Sequence, residues 1–303
     1  MRYKVLIVIC AVFVICTSAF AQSAKAVRVL TVETGSDAKV WLDSIYRGTT
    51  DESGRLVIKP VSAGRHRIRI LAFGFKEVDR PVTARQTSLR APLKKTFDRA
   101  EIAYQNAEKS LSEDKYRSID LYREALRLSP RYLQAHIGLV RAYADTNDPV
   151  AAFAAIKKAR RFKPVFPEIS AIEGRVHKSE GDIDKAIASF ERAIREARGF
   201  QPEAHTGLAL IMKSEAEGAG ARGEIEEEKL YYEDAAKSFE KAIDQLSATE
   251  PVVYLLLGQV YEKMKAKEKA IAVYRRFLRD MPEHEERSAV ESFIEQLQKE
   301  EEI

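Results

Sequence analysis

A helical pattern of small and bulky residues recurs through the C-terminal two-thirds of this chain. Ser118, Ala152 and Ala186 stand 34 residues apart. Each is followed four residues later by a bulky side chain and, three residues further on, by an alanine. Later copies of the pattern begin at Ala235 and Ala270. Such a period predicts stacked helix–turn–helix units, none of which can bury its own apolar face alone.

Five such units can be delimited by their small, large and aromatic residues. In chain order, their markers are Tyr116, Ser118, Tyr122, Ala125 and Pro130; Leu139, Tyr143, Ala152, Ala159 and Pro164; Gly174, Ala186, Phe190 and Ala193; His205, Leu208, Ala209, Ala235, Phe239 and Ala242; and Tyr254, Leu257, Gly258, Tyr261, Ala270, Tyr274 and Pro282. These residues resemble the tetratricopeptide repeat across residues 96–282. The resemblance implies an all-α solenoid that binds other molecules, but this fold serves many different functions.

The sequence after Pro282 predicts a helix that caps this solenoid. Pro282 ends the last repeat, because proline cannot continue a helix. The following residues 287–299 place Val290, Phe293, Ile294 and Leu297 at helical spacing. We therefore predict that residues 283–303 form a capping helix and an acidic tail.

One repeat is longer than its neighbours, and the excess lies around residues 214–231. The run 217–223 contains three glycines and predicts a flexible joint, which is followed by an acidic run from Glu224 to Lys229. Two interpretations stay open. The segment is either a lengthened helix pair with a loose, protruding turn or a finger that contacts a partner.

The first 21 residues are typical of a cleaved signal peptide, with Arg2 and Lys4 ahead of an apolar run and small residues before the expected cleavage site. An uncleaved N-terminal anchor is the alternative. Cys10 and Cys16 each follow isoleucine rather than the small residue of a lipoprotein signal. After cleavage no cysteine and no transmembrane segment would remain, which favours export to a bacterial periplasm or outer envelope.

Residues 22–93 show strand periodicity instead of helical periodicity. Short β-rich runs occur at 27–32, 39–42, 55–58 and 66–70, with turn residues between them. They predict a small antiparallel β-sandwich. The segments 38–43, 48–50, 62–70 and 73–76 resemble the PEGA family of small β-sandwich modules in prokaryotic surface proteins. That resemblance implies a cell-envelope setting without catalysis, although Ser44 stands where the family often has glycine.

Charge is divided unevenly between the two parts. Residues 22–95 carry 15 Lys and Arg against 7 Asp and Glu, whereas residues 96–303 carry 33 against 39. Arg65, Arg67 and Arg69 alternate with apolar residues and would share one strand face. That face is either a docking stripe for an anionic envelope component or a solvated surface that prevents edge pairing. Trp41 is either a stacking platform for a ligand or a residue that packs against the helices.

No arrangement of residues points to catalysis. The histidines of the chain are His66, His136, His177, His205 and His284, and no two stand at metal-ligand spacing. No phosphate-binding glycine loop or nucleophile motif stands out. We therefore expect no enzyme activity, cofactor or metal. Export and the lack of interleaved basic and aromatic residues also argue against a nucleic-acid partner.

We interpret the chain as a multidomain envelope adaptor in which a β-sandwich precedes a solenoid of about five repeats and a capping helix. A protein or peptide partner would bind the concave surface, and its basic bias predicts an acidic or C-terminal carboxylate ligand. The groove residues inferred from the repeat family are Gln134, Arg141, Asp145, Arg175, Lys178, Lys213, Gln259 and Lys263. Two alternatives stay open: a protein whose β domain binds peptidoglycan or another anionic polymer, and a structural subunit of an envelope secretion, motility or assembly complex.

Overall fold

The computed structural model of the chain describes residues 28–299, so the predicted signal peptide (1–21) and residues 300–303 of the acidic tail lie outside the described residues. The described chain begins with a β domain, here called the head, whose two sheets enclose a small apolar core. Its strands are β1 (Arg28–Glu33), β2 (Lys39–Leu42), β3 (Ile45–Thr49), β4 (Arg55–Val61), β5 (His66–Leu71), β6 (Val78–Val82) and β7 (Ser88–Arg90).

The head differs from the predicted all-antiparallel sandwich in one strand pair. The sheets have the strand orders β4-β1-β7 and β3-β2-β5-β6. β7 pairs with β1 in parallel, while the other pairs are antiparallel. β3, β6 and β7 did not stand out in the sequence, because each is short and interrupted by Gly48, Pro81 or flanking polar residues.

A tight turn joins β2 to β3 at the edge of the head. Asp43 and Ser44 both have positive φ, at 52° and 66°, which is the geometry of the favoured two-residue hairpin turns. Glycine adopts positive φ more readily than serine, so Ser44 is a strained choice at this position. The Asp43 carboxylate offsets the strain, since its Oδ1 accepts a hydrogen bond from Arg67 N at 2.8 Å and its Oδ2 lies 2.5 Å from His66 Nδ1.

Eleven helices follow the head within the described residues, which confirms the predicted fold class. They are α1 (Arg99–Ser110), α2 (Lys115–Leu128), α3 (Leu133–Asp145), α4 (Pro149–Phe162), α5 (Pro167–Ser179), α6 (Ile183–Glu196), α7 (Pro202–Arg222), α8 (Ile225–Leu246), α9 (Pro251–Lys263), α10 (Lys267–Asp280) and α11 (Arg287–Lys299). α1 to α10 form five consecutive helix pairs. α11 buries Val290 and Ile294 at the end of the stack, as a capping helix does.

Neighbouring pairs are held together by an aromatic side chain that lies against glycines. Phe190 on α6 contacts Gly174 on α5 of its own pair and Gly207 on α7 of the next pair. A methyl group at Gly174 would lie 2.6 Å from Phe190 Cδ1, so the helices could not approach as they do. α3, α5 and α7 also contact one another in a row. The first helices of successive pairs thereby form a continuous inner face.

The predicted flexible joint at 217–223 is wrong. α7 continues unbroken to Arg222, and the pair α7–α8 meets in a short turn at Gly223, which has φ of 76°. Within this run Ala219 is buried completely, Gly218 and Gly220 are half-buried and Ala221 is exposed, so these residues form a regular part of the helix. The excess residues therefore lengthen two regular helices.

Two buried polar residues of α1 hold the head. Gln105 is 2% exposed; its Oε1 accepts a hydrogen bond from Gly74 N at 2.8 Å, and its Nε2 donates one to Phe75 O at 2.7 Å. Glu101 accepts hydrogen bonds from Glu77 N and from the Thr96 hydroxyl. Buried polar groups need such partners. The head is thus docked on the first repeat.

An ion pair between β5 and the loop before β6 lies in the same junction. Arg69 Nη1 is 3.3 Å from Glu77 Oε2 and donates a hydrogen bond to the Tyr104 hydroxyl at 2.9 Å. Burial raises the pKa of Glu77 to about 7, although the Arg69 guanidinium acts in the opposite direction. Glu77 therefore binds its proton more tightly in the folded chain than in the unfolded chain.

The packing of Phe190 predicts unequal effects for two glycine substitutions in one helix. Gly207→Ala should lower the free energy of unfolding by about 1–3 kcal/mol, because it overpacks a close helix contact. Gly218→Ala is the matched control, since its added methyl would meet only the flexible end of Arg222 at 3.2 Å. The control should be neutral or stabilising, as alanine favours helices. Urea unfolding followed by circular dichroism measures both; equal effects would contradict the packing argument.

The junction predicts a pH dependence that involves Glu77. Stability from this residue is complete below pH 4.5, the ordinary glutamate pKa, and is lost as the pH rises through about 7. Glu77→Gln should reduce the pH-dependent loss of unfolding free energy by about 1–3 kcal/mol. The glutamine can still accept a hydrogen bond from Arg69. The test compares free energies of unfolding at pH 5 and pH 8 for the wild type, Glu77→Gln and the exposed control Glu113→Gln.

The difference between these curves isolates Glu77. His136 and His205 have pKa values lowered by burial, so their contribution to stability changes with pH in the opposite direction. They are present in every variant and cancel in the comparison. Parallel curves for the wild type and Glu77→Gln would show that Glu77 does not titrate differently on folding.

Candidate functional site

A cleft of about 790 Å³ lies between the head and the inner face of the solenoid. One wall is the β2–β3 hairpin of the head, with Trp41, Asp43, Ser44, Ile45 and Tyr46. The other wall consists of side chains from α3, α5, α7 and α9 and from the loops before them. This volume is typical of ligand-binding sites. The site is therefore composite, because neither domain encloses it alone.

Aromatic and aliphatic side chains supply much of the surface of this cleft. The Trp41 and Tyr46 rings have centroids 5.5 Å apart, and the Arg69 guanidinium lies 3.7 Å from the centre of the Trp41 ring. Trp41 also packs against the core of the first helix pairs. This confirms the prediction that Trp41 packs against the helices. On the helical side, Ile137, Leu210 and Val252 line the cleft. These apolar groups suit the side chains of a peptide.

Arg47 joins the hairpin to the far side of the solenoid. Its Nη1 donates hydrogen bonds to Ser247 O at 2.9 Å and Leu246 O at 3.4 Å, at the C-terminal end of α8. A helix C-terminus carries partial negative charge that favours such a cation. Burial lowers the pKa of Arg47 from its ordinary value. The head thus bridges the inner face from α1 to α8.

Basic and acidic groups are balanced along the cleft. Arg141 pairs with Glu203 at 3.5 Å, and Arg175 lies 3.1 Å from Asp145. Glu168 and Glu250 add two carboxylates, and burial raises the pKa of Glu250. The predicted basic bias of this surface is therefore largely neutralised by side chains of the chain itself.

A small basic subsite remains on α5. The Nη2 atom of Arg175 already lies 3.1 Å from Asp145 Oδ1, while its Nε atom is buried and makes no hydrogen bond among the described residues. Lys178 stands three residues further on, lines the same cleft, and forms no ion pair within residues 28–299. Residues three apart share one helix face. Together they can receive one carboxylate.

The structure brings together half of the groove residues inferred from the sequence. Gln134, Arg141, Arg175 and Lys178 line the cleft. Asp145 lies beside it through its contact with Arg175.

The other inferred groove residues lie outside the cleft lining. Lys213 pairs with Glu217 at 2.5 Å on the same helix. Gln259 and Lys263 are exposed on α9.

Arg67 and Arg69 alternate with buried residues along β5, but the three arginines of the proposed docking stripe are not equally exposed. Arg65 is exposed in the loop before β5, and Arg67 is exposed and lies 2.6 Å from Asp79. Arg69 turns into the junction, where Glu77 and Tyr104 hold it. Its side chain is only 16% exposed, so it is not available to an external polymer in this structure.

Sequence reasoning missed the whole head wall and the carboxylates at the helix starts. Glu168 and Glu203 each follow a proline at the first position of α5 and α7. That Pro-Glu pattern was a readable signal, because both residues favour a helix N-terminus. The contribution of Tyr46 and Arg47 had no such signal, since it arises from how the head docks on α1.

The buried histidines lie away from this site. His136 Nε2 donates to Pro130 O at 2.8 Å, and His205 Nε2 donates to Gly199 O at 3.2 Å. Each fixes the loop that precedes its helix. Residues 28–299 contain no group of three potential metal-ligating side chains. No helix in this part of the chain is long and apolar enough to cross a membrane.

Comparison with solved structures shows a similar helical fold in yeast Tom70. The crystal structure of yeast Tom70 is 15% identical, with a TM-score of 0.54 over 68% of this chain and 41% of that chain. The crystal structure of MamA is 20% identical, with a TM-score of 0.42 over 57% of this chain and 93% of that one. A thermophilic TPR protein of Thermus thermophilus is 14% identical, with a TM-score of 0.46 over 65% of this chain and 98% of that one. No curated protein matches this chain significantly.

Family models for the tetratricopeptide repeat match residues 112–165, 170–199 and 252–279. The first segment covers α2 to α4, the second α5 and α6, and the third α9 and α10. The lengthened pair α7–α8 lies outside all three, because its helices are 21 and 22 residues long. The chain therefore contains tetratricopeptide repeats, a fold that serves as a scaffold for protein–protein interaction.

Proposed function

We propose that this protein is an exported adaptor that binds an extended segment of a partner protein in the cleft between its head and its inner helical face. The observation that carries the proposal is the composite cleft itself. An apolar surface with a few placed polar groups is the usual form of such a site. Export to a bacterial envelope rests on the N-terminal sequence, and docking of the head to an envelope component rests on its excess of basic residues.

The partner segment carries apolar side chains and one carboxylate. Trp41, Ile137 and Leu210 would contact the apolar side chains. The carboxylate would lie against Lys178, which forms no ion pair among the described residues, and beside Arg175, which already pairs with Asp145. A charge-assisted hydrogen bond to arginine is stronger than a neutral one. A strongly acidic segment would fit less well, because Glu168, Glu203 and Glu250 line the same cleft.

Site-specific photo-crosslinking tests this proposal in the native cell. A photoreactive residue at Thr206, which lines the cleft, should crosslink a discrete partner. Arg175→Glu with Lys178→Glu should abolish that product, because the carboxylate would meet two like charges. The matched control is Lys157→Glu with Arg161→Glu on α4, where both residues are exposed and outside the cleft lining.

A peptide experiment tests the carboxylate separately. Peptides selected from a random library with free C-termini should bind the wild type and lose affinity about tenfold or more in the double α5 variant, as expected for the loss of a charged hydrogen bond. Selection of the same peptides by both proteins, together with an unchanged crosslink, would refute the proposed site.

A further inference from the structure

The head is attached to the helices at two places of unequal strength. Near α1, Glu101 and Gln105 are buried and make several hydrogen bonds to the head, and Arg69 adds its contact with Tyr104. At the other end of the cleft, the side-chain hydrogen bonds from the head to α8 come from Arg47 alone among the described residues. The contact near α1 contains several hydrogen bonds, whereas at the other end Arg47 supplies the side-chain hydrogen bonds beside the buried Ile45.

Arg47 is half-buried, and its hydrogen bonds satisfy only part of its guanidinium group among the described residues. Both acceptors are neutral main-chain carbonyls, and neither is a carboxylate. The Nε atom of Arg47 is buried and makes no hydrogen bond within residues 28–299. An unpaired buried donor opposes the contact that buries it. This contact can therefore open at lower cost than the anchor at α1.

The β2–β3 hairpin covers part of the cleft, so the opening of its contact with α8 affects how a partner can bind. The hairpin residues Trp41, Ser44 and Tyr46 face the lining from α5, α7 and α9 across the cavity. A helix is about 10–12 Å across, and an extended strand is narrower. A partner that contacts both walls must pass the hairpin edge to enter.

We propose that the β2–β3 hairpin is a lid on this cleft, which turns about the contact with α1 and is held shut by Arg47. The evidence for the lid is the geometry alone. The identity of its ligand as a peptide depends on the function proposed above. In the shut position it supplies Trp41 and Tyr46 as the second wall of the site. The ligand expected in the closed site is the extended segment proposed above.

Quenching of Trp41 fluorescence by acrylamide tests the lid without any ligand, since Trp41 is the only tryptophan in the chain. Arg47→Ala should raise the Stern–Volmer constant about twofold or more, because losing a charged hydrogen bond shifts an open–shut equilibrium several-fold. Arg55→Ala, an exposed arginine on β4, is the control and should behave as the wild type. Equal quenching of Arg47→Ala and the wild type would overturn the lid.

A second measurement distinguishes opening of the lid from unfolding of the head. Ser44→Cys and Val252→Cys place spin labels on opposite walls of the cleft, in a chain that also carries Cys10→Ser and Cys16→Ser. Arg47→Ala should lengthen and broaden the distance between the labels, while the circular dichroism spectrum stays unchanged. An unchanged distance, or a spectrum that shows loss of the head, would overturn the lid.

The two proposals fail separately. If Thr206 crosslinks no partner but Arg47→Ala opens the cleft, the lid stands and the peptide-binding function falls. If the lid does open for a partner, Arg47→Ala should raise the early yield of the Thr206 crosslink. An unchanged or lower yield would remove the role of the lid in partner entry.

Discussion

The architecture of this protein depends on aromatic rings that lie against glycine backbones. Phe190 is pressed between Gly174 and Gly207, Tyr122 lies against Gly138, and Tyr274 lies against Gly258. Such contacts fix how closely the helices approach, because a single methyl group would not fit between ring and backbone. Since Phe190 touches two successive repeats, the repeats cannot set their positions independently. The inner row of helices, and therefore the helical wall of the cleft, follows from this packing.

The head changes what that inner row can do. A bare solenoid presents an open surface, whereas here the β2–β3 hairpin covers part of it and encloses a cleft. The charges reinforce this difference, because Glu203 and Asp145 lie against two of the arginines that a bare groove would offer to ligands. What is left is a largely apolar channel in which Lys178 is a basic side chain without an ion pair among the described residues. Selectivity then depends on shape and on a single carboxylate more than on overall charge.

How much of this could be read from the sequence depends on the range of the interaction involved. The helix pairs follow from a local period, so markers such as Ala186 and Phe190 predicted them directly. The run 217–223 misled because glycine usually indicates a turn, whereas Gly218 and Gly220 lie within an unbroken helix and Gly223 alone of the three forms the turn. The groove residue Arg141 was found by analogy. Tyr46 and Arg47 could not be found, because no local pattern encodes how two domains dock.

The buried pair Glu101 and Gln105 has a consequence for modularity. Composition divides the chain near residue 95, as though a basic module had been attached to an independent acidic one. Yet each side chain would be left with unsatisfied polar atoms if a different surface without matching groups covered them, at a cost of roughly 1–3 kcal/mol per group. The first repeat is therefore fitted to this particular head. Exchange of this head for another β domain, in evolution or by recombination, would have to bring matching acceptors and donors with it.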